Sequence, residues 1–580
     1  MTSGNGRGLV GVLAGVAVLS LFTTGCANVP ERTTAHAVVD RPAGADPVVS
    51  GPQENAEPVS LVRDFVERSG SPLAAKTFLT DATRAAYSAD GPPTIIEDTF
   101  SVVPSEVPEA DSESSTEQTV VLRAQSLGRL DGAMAFVPAQ GPLEYLVKVR
   151  RQQNGQWRIE DPPPVVVITE DQFDEAYSAA TLYFFDPSVR APVPDVRYVR
   201  AESQHELTAR AVIDLLLAGP SETVRDSVRT FLPEDAGLSS NVVIAADGAL
   251  LVPLTRIGEL TERDRRLVAA QIVLSLREAT PNRVRLKVDG QDLVPGQGDF
   301  RAADFGAYDA VTDPVAKLSG MVVAGGRLRA LAGGTDQPSL AAYDGLTVST
   351  AAQSVDGRGI AIVSDTGTGR KLWLGTLGET PVEVFSAGRL TRPTWLLADE
   401  AGNSNEVWTV QDGAVVVRLV RTGTGWTRAG VNATELMPYG AITDLRLSRD
   451  GTRVAVVADG ELVVASVVRT TDSVTIKSPR QLQQDELTGV VGVDWQSQTR
   501  LLVATSRSPL PVARVSVDGM ELEPYTSSNL TGKVTAITAA RNRPVVVTDE
   551  RGMSTASQPG DLWRAYAPDE GPGSVPFYPG

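Results

Sequence analysis

The residue types that most enzymes use for catalysis or metal binding are nearly absent from this sequence. Its 580 residues include one cysteine, Cys26, and two histidines, His36 and His205. A single cysteine excludes an intrachain disulfide and a cysteine-based zinc site. His36 lies in a segment rich in proline and alanine, and His205 opens a predicted helix as an exposed first-turn residue, so neither suits a catalytic triad or a metal centre. We expect no catalytic residue, no metal site and no cofactor.

Paired carboxylates are the remaining candidates for chemistry. The pairs Glu170-Asp171 and Asp174-Glu175 supply the two carboxyl groups that glycoside hydrolysis requires. Adjacent acids beside a predicted helix start more often complement the helix dipole, and we interpret both pairs as residues of that kind. The stretch SDTGTGRK at 364–371 lacks the strand-to-helix context of a phosphate loop, so we interpret it as a turn between strands. A net charge of −18 without a basic stripe indicates no nucleic-acid partner.

Cys26 closes an N-terminal segment that has the order of a secretory signal. A polar start is followed by about fourteen apolar residues, 9–22, which are too few to cross a bilayer. The stretch LSLFTTGC, ending at Cys26, resembles the lipobox of bacterial lipoproteins, although Thr23 replaces the usual leucine. The resemblance implies that the Cys26 thiol receives a diacylglycerol. We predict a signal peptide over 1–25 and a flexible tether over 26–57, which holds the chain to the lipid bilayer through acylated Cys26.

The folded part is predicted to be multidomain, with two α+β units before an all-β unit. Residues 58–167 begin with apolar residues at helical spacing and continue with alternating strand patterns that end in the hairpin NGQWRIED. Short helices followed by a curved antiparallel sheet resemble the nuclear-transport-factor-like cone fold. We expect a cone-like α+β domain here.

Residues 168–302 follow the predicted order β-α-β-β-α-β. A helix is predicted over 204–220, a hairpin turn at Asp247-Gly248 and a second helix with Thr261 as its N-cap. The first helix is expected to bury one apolar side, formed by Leu207, Ala211, Val212, Leu215 and Leu216. The stretches LLLAGP, AAQIVLSL and VRLKVDG carry a resemblance to the GerM domain of cell-envelope proteins.

Residues 303–580 consist of short strand patterns separated by turns. Turn signals recur at Gly325-Gly326, Asp356-Gly357, Gly402-Asn403, Asp450-Gly451, Ser497-Gln498 and Arg541-Asn542. A repeat of about 40–50 residues with strand-turn-strand units is typical of β-propeller blades. We predict a β-propeller of about six blades, with most of its six tryptophans packed between strands.

The complete layout resembles the LpqB family of lipoproteins from high-GC Gram-positive bacteria. The features that carry the resemblance are the lipobox at Cys26, the domain order and the terminal FYPG. It implies a non-enzymatic accessory lipoprotein on the extracytoplasmic face of the cell membrane. It also implies that the protein binds the sensor histidine kinase MtrB and modulates the MtrA–MtrB two-component system, and thereby cell-wall homeostasis and division. The alternative is a propeller-based protein that binds or cleaves cell-wall carbohydrate through carboxylates.

Overall fold

The structure is a computed structural model, and its description covers most of the chain after residue 50. The described residues are 51–88, 90–105, 116–202, 204–311, 313–314, 317–331, 340–399, 403–423, 425–566 and 571–580. Cys26, His36 and the predicted signal peptide lie outside them, as does the tether up to residue 50. Among the helices of the described part, none is long and apolar enough to span a membrane.

The first domain places three short helices against one face of a curved sheet. Its elements are α1 (Pro58–Val66), α2 (Pro72–Thr77), α3 (Asp81–Ala86), β1 (Pro93–Ile96), β2 (Ser101–Pro104), β3 (Glu117–Leu130), β4 (Phe136–Arg151), β5 (Trp157–Asp161) and β6 (Val166–Thr169). The strand order is β5-β4-β3-β1-β6, with β2 also paired to β3. Leu61, Phe65 and Phe78 from the helical part pack against Val147 and Ile159 of the sheet. This arrangement is the α+β architecture expected for the segment.

The structure differs from the predicted borders at both ends of the first domain. The sheet includes β6, which extends to Thr169, two residues past the expected border at 167. At the other end, residues 51–57 contain no helix or strand, and the Asn55 amide donates to Gln156 Oε1 over 2.9 Å. The end of the predicted tether therefore contacts the first domain.

The second domain packs two helices against a mixed sheet, beside a separate long hairpin. After α4 (Glu170–Ala176), its elements are β7 (Tyr177–Phe185), β8 (Pro192–Arg200), α5 (His205–Leu217), β9 (Gly237–Leu238), β10 (Val243–Ile244), β11 (Leu250–Thr255), α6 (Glu262–Leu276), β12 (Val284–Val288), β13 (Gln291–Asp292), β14 (Asp299–Phe300) and α7 (Gly306–Val311). Strands β7 and β8 form a two-stranded sheet of their own, while β11 and β12 pair in parallel at the centre of the second sheet.

Local signals in this domain were predicted correctly, and the predicted apolar side of α5 was wrong at one of its five residues. Val212 and Leu216 are buried as predicted, and Ala211 and Leu215 are partly buried against the core. Thr261 caps α6, because its Oγ1 accepts a hydrogen bond from the Asp264 amide at 3.1 Å. The turn at Asp247-Gly248 joins β10 and β11. In α5, however, the predicted Leu207 is 47 % exposed. The residues that α5 buries are Ala209, Val212, Ile213 and Leu216, since α6 and the hairpin lie on that side.

The remaining chain forms six sheets. Their strands are β15 (Met321–Ala324), β16 (Arg327–Ala330), β17 (Val348–Gln353), β18 (Gly359–Asp365), β19 (Arg370–Thr376), β20 (Val382–Ala387), β21 (Thr394–Trp395), β22 (Glu406–Gln411), β23 (Val415–Thr422), β24 (Gly425–Gly430), β25 (Ile442–Leu447), β26 (Arg453–Ala458), β27 (Glu461–Arg469), β28 (Val474–Gln481), β29 (Val490–Trp495), β30 (Arg500–Thr505), β31 (Val512–Ser516), β32 (Leu522–Pro524), β33 (Ala536–Thr538), β34 (Val545–Asp549), β35 (Gly552–Ala556), β36 (Arg564–Ala565) and β37 (Val575–Phe577). Short 3₁₀ helices lie at Arg225–Ser227, Ala302–Phe305, Leu340–Tyr343 and Thr434–Tyr439.

These sheets are the six blades of a β-propeller, as predicted. Five blades have four consecutive strands, and the remaining one joins β15 and β16 from the start of the propeller to β37 from its end. The innermost strands β17, β21, β25, β29, β33 and β37 each contact the next one in a closed ring. Pairing between the two ends of the propeller sequence thus closes the ring.

The turn signals and the tryptophans behave as expected, with one difference. In the four-stranded blades, the turns that the structure describes at the predicted positions join the innermost strand to the second strand. Gly325-Gly326 instead joins β15 to β16, which are the second and third strands of the closing blade. Four of the six propeller tryptophans are almost completely buried: Trp395, Trp408, Trp495 and Trp563.

Candidate functional site

A network of charged side chains fills the centre of the propeller. The carboxylate of Asp494, on β29, forms ion pairs with two arginines. Arg392 Nη2 lies 3.2 Å from one of its oxygens, and Arg446 Nε lies 3.5 Å from the other. The Thr538 hydroxyl of the next blade donates to the same carboxylate at 2.8 Å. Arg446 also donates to the carbonyl oxygen of Pro393 at 2.6 Å. Four blades therefore meet through one buried carboxylate.

Burial and ion pairing change the pKa values of these groups in opposite directions. Burial by itself would raise the pKa of Asp494, but Arg392, Arg446 and Arg449 hold that pKa below its usual value. Burial lowers the pKa of Arg446 to about 10, which leaves it charged at neutral pH. For Asp444, desolvation outweighs the nearby arginines and raises the pKa. The network thus depends on an ionised Asp494 facing cations.

The β7–β8 hairpin of the second domain attaches to one face of the propeller. Arg190 Nη1 donates to the carbonyl oxygens of Leu397 and Ala398, at 2.8 and 2.6 Å. Gln498 donates to the carbonyl oxygen of Pro192 at 2.8 Å. Further contacts join Arg453 to the Pro194 carbonyl oxygen and the Tyr198 hydroxyl to Asp518. Gln498 and Arg453 lie in or directly after the turns that join an innermost strand to the second strand of its blade, so the hairpin contacts the face of the propeller that carries these turns.

A buried ion pair within the hairpin joins the first and second domains. Arg197 is fully buried and donates to Asp195 Oδ2 at 2.6 Å. The same guanidinium donates to the carbonyl oxygens of Ala133, in the first domain, and Gly219, in the second. Ser221 donates its amide and its hydroxyl to Asp195. Three donors thus offset part of the cost of burying the Asp195 carboxylate, while Nε of Arg197 has no hydrogen-bond partner among the described residues.

The innermost strands surround a central channel, and the β7–β8 hairpin lies at one end of it. At the opposite end, the residues that line the channel all belong to the propeller. A cavity of about 340 Å³ lies there, and it is bordered by the beginnings of the innermost strands and the loops before them. Three of these strands carry a β-bulge at the same place: between Val348 and Thr350, Ile442 and Asp444, and Val490 and Gly492. Bulges re-aim side chains at the rims of β structures. We call this cavity the channel mouth and treat it as the candidate binding site.

The residues singled out from sequence do not come together in a site. His205 is the exposed first residue of α5, and Glu170 and Asp171 lie in the first turn of α4, as interpreted. For Asp174 and Glu175 the interpretation was wrong, because both lie in the last turn of α4, where a carboxylate does not complement the helix dipole. Residues 366–369 form the turn between β18 and β19. Cys26 lies outside the described residues.

Sequence reasoning missed the charged residues of the channel. Asp444, Arg446 and Asp494 lie within mainly apolar innermost strands, each of which begins a blade. A charged residue in the innermost strand of a blade is the signal that would have found them. The contact between Arg446 and Asp494 cannot be read from spacing, because these two residues lie in different blades.

The carboxylates of the channel already have partners. Asp494 accepts from Thr538 and from the amides of Trp495 and Ala539, in addition to its arginines. Asp444 accepts from the amides of Leu445 and Val493. These contacts hold both carboxylates in place and suit a structural role better than proton transfer.

Comparisons with known proteins match three segments of the chain to described families. Residues 51–174 match "Lipoprotein LpqB, N-terminal domain", and residues 326–579 match "Lipoprotein LpqB beta-propeller domain". Between them, residues 181–294 match the family "Germane", described as sporulation and spore germination. A solved structure of tandem GerMN domains from Bacillus subtilis GerM is similar at 20 % identity, over 22 % of this chain and 48 % of that one, with a TM-score of 0.19.

Similarity to curated relatives extends over nearly the whole length. Lipoprotein LpqB from Mycolicibacterium smegmatis is 30 % identical over 97 % of this chain and 98 % of its own. Lipoprotein LpqB from Nocardia farcinica is 31 % identical, covering 94 % of this chain and 93 % of its own. The same three domains in the same order are present in the structure. The chain therefore belongs to the LpqB family of lipoproteins.

Proposed function

We propose that this lipoprotein is anchored to the extracytoplasmic face of the cell membrane through acylated Cys26. There it binds the extracytoplasmic region of a sensor histidine kinase similar to MtrB, and modulates the two-component system. Membership of the lipoprotein family and the lipobox-like stretch before Cys26 support the anchor. Confinement of both proteins to one membrane plane would raise their effective concentration for each other.

The observation that carries the binding role is the one-sided packing of the propeller. Contacts from Arg190, Arg197 and Tyr198 join the first two domains and the propeller into one scaffold. Their attachment uses one face and leaves the channel mouth to the propeller alone. A scaffold of this kind presents a fixed surface to a partner, so we place the kinase contact on the face that contains the channel mouth.

A non-enzymatic role fits the chemistry of the described groups better than carbohydrate cleavage. A glycosidase needs one carboxyl group as acid and a second as nucleophile or base. Asp494 is bound to arginines and hydrogen-bond donors, which stabilise its ionised form. A carboxylate held in this way is a weak base and a poor nucleophile.

Membrane fractionation of a Cys26→Ala variant tests the anchor. We expect the parent protein in the membrane fraction and labelled by a radioactive fatty acid. The variant should not carry the label and should be absent from the membrane fraction. Signalling through the kinase should weaken as a result. An unlabelled parent, or full signalling by a released variant, would contradict the anchoring proposal.

Site-specific photo-crosslinking in intact cells tests the partner and the surface. A photoreactive residue at Val491, which is 37 % exposed at the channel mouth, is expected to crosslink to the sensor kinase. The matched control is Leu73, which is 60 % exposed on α2 of the first domain and should give no kinase adduct. Adducts from Leu73 alone would move the contact to another surface, and adducts from neither position would contradict the kinase partnership.

A further inference from the structure

Three arginines converge on the channel mouth of a strongly acidic protein. Arg370, Arg389 and Arg392 line the cavity, with Asp444 as the carboxylate on its wall. The Arg389 side chain is exposed and makes no ion pair or hydrogen bond to the described residues. Arg370 makes one long hydrogen bond, 3.4 Å, to the carbonyl oxygen of Leu390. The mouth therefore concentrates positive charge in a chain whose net charge is −18.

Two nearly buried polar atoms in the same cavity have no hydrogen-bond partner among the described residues. They are the hydroxyl oxygen of Thr350, whose residue is 8 % exposed, and Nε of Arg392, whose side chain is 9 % exposed. Buried polar groups are nearly always paired, so each exception requires an explanation. Both atoms can donate a hydrogen bond, and both belong to residues that line the mouth.

Two polar residues of the mouth lie next to β-bulges, and Arg392 is held by contacts of its own. Thr350 directly follows the bulge of β17, and Asp444 follows the equivalent bulge of β25. The Arg392 guanidinium donates hydrogen bonds to the Asp494 carboxylate at 3.2 Å and to the carbonyl oxygen of Ile537 at 3.3 Å, and these bonds hold it in place. One arginine of the mouth is thus held in a fixed position, while Arg389 is free to close over a ligand.

We infer that the channel mouth is a binding site for an oxyanion, a carboxylate or phosphate group carried by a small ligand or by a longer molecule. Guanidinium groups bind both anions through paired N–H donors, and a threonine hydroxyl adds a donor at the side. The volume of about 340 Å³ lies within the range of small-ligand sites. Asp444 is held by the amides of Leu445 and Val493, which keeps its carboxylate at the wall. This inference does not depend on the identity of the membrane partner.

Calorimetric titration of the full-length protein in detergent tests the site with two probes, inorganic phosphate and N-acetylglutamate. Chloride at matched ionic strength is the reference anion, since screening weakens exposed charge interactions. We expect saturable binding of at least one probe, and the tighter one identifies the source of the oxyanion. Arg389→Gln should weaken this binding about tenfold, which is the effect of losing one charge-assisted hydrogen bond.

Two further variants separate binding from folding. Thr350→Val keeps the shape of the side chain and removes an unpaired hydroxyl, so binding should weaken about threefold while the unfolding midpoint does not fall. Arg564→Gln, at an exposed arginine on β36 outside the mouth, is the matched control and should bind like the parent. Absence of saturable binding of both probes would overturn the inference. Unchanged binding in Arg389→Gln or Thr350→Val, or an equal loss in Arg564→Gln, would also do so.

Discussion

Replacement of Asp494 by asparagine removes the only negative charge that ion-pairs with Arg392 and Arg446 among the described residues. The substitution keeps the size of the side chain, so its effect is electrostatic. Asp494 is 4 % exposed, and Arg446 is 2 % exposed. In the variant, buried cations would face a neutral amide, and the cost of desolvating them would no longer be offset.

The expected loss of stability is large for one substitution. Removal of one partner from a buried ion pair costs about 3–5 kcal/mol. For a domain of the size of this propeller, each kcal/mol lowers the melting temperature by about 2–4 °C. We therefore expect Asp494→Asn to melt roughly 6–20 °C below the parent. Asp472→Asn, at an exposed carboxylate of the same domain, should stay within about 0.5 kcal/mol.

Denaturant unfolding at several pH values measures this effect and its origin. Because the pKa of Asp494 is lowered in the folded state, its ionisation stabilises the protein at pH values above the unfolded-state pKa. The stability gap between parent and Asp494→Asn should be constant from about pH 5 to pH 8, and it should shrink as pH falls below about 4. A variant that unfolds at the same denaturant concentration as the parent at pH 7 would refute the electrostatic reasoning, and so would a gap that does not depend on pH.

Three other substitutions test individual contacts through the free energy of unfolding. Thr261→Ala should destabilise the second domain by about 1 kcal/mol, because α6 loses its N-cap; an unchanged midpoint would contradict that capping role. Gly440→Ala should cost about 1–3 kcal/mol, since Gly440 has a φ of 92° and an added Cβ would collide with the Asp459 carboxylate. Tyr198→Phe should cost about 1.5–3 kcal/mol by removing the hydrogen bond to Asp518, and proteolysis between the second domain and the propeller should become faster; equal proteolysis rates would show that this contact does not hold the domains together.

The elements that sequence predicted well are those whose signal is local. The turn at Asp247-Gly248 follows from backbone sterics, and the cap at Thr261 follows from hydrogen bonds within one helical turn. The blade repeat was visible because each blade contains its own turn. Strand β8 was not predicted, since its sequence PVPDVRYVR contains prolines and charged residues that are unusual in a strand. Asp195 and Arg197 are buried there only because the neighbouring domains surround the hairpin.

The amino-acid sequence by itself determined the domain order, the repeat, the scarcity of cysteine and histidine and the position of the lone Cys26. Tertiary structure decided which residues of α5 are fully buried and which strand closes the propeller, because both depend on surfaces from distant parts of the chain. It also decided the candidate site. Thr350, Arg392 and Asp444 belong to three blades, and only closure of the ring of innermost strands brings their side chains into one cavity.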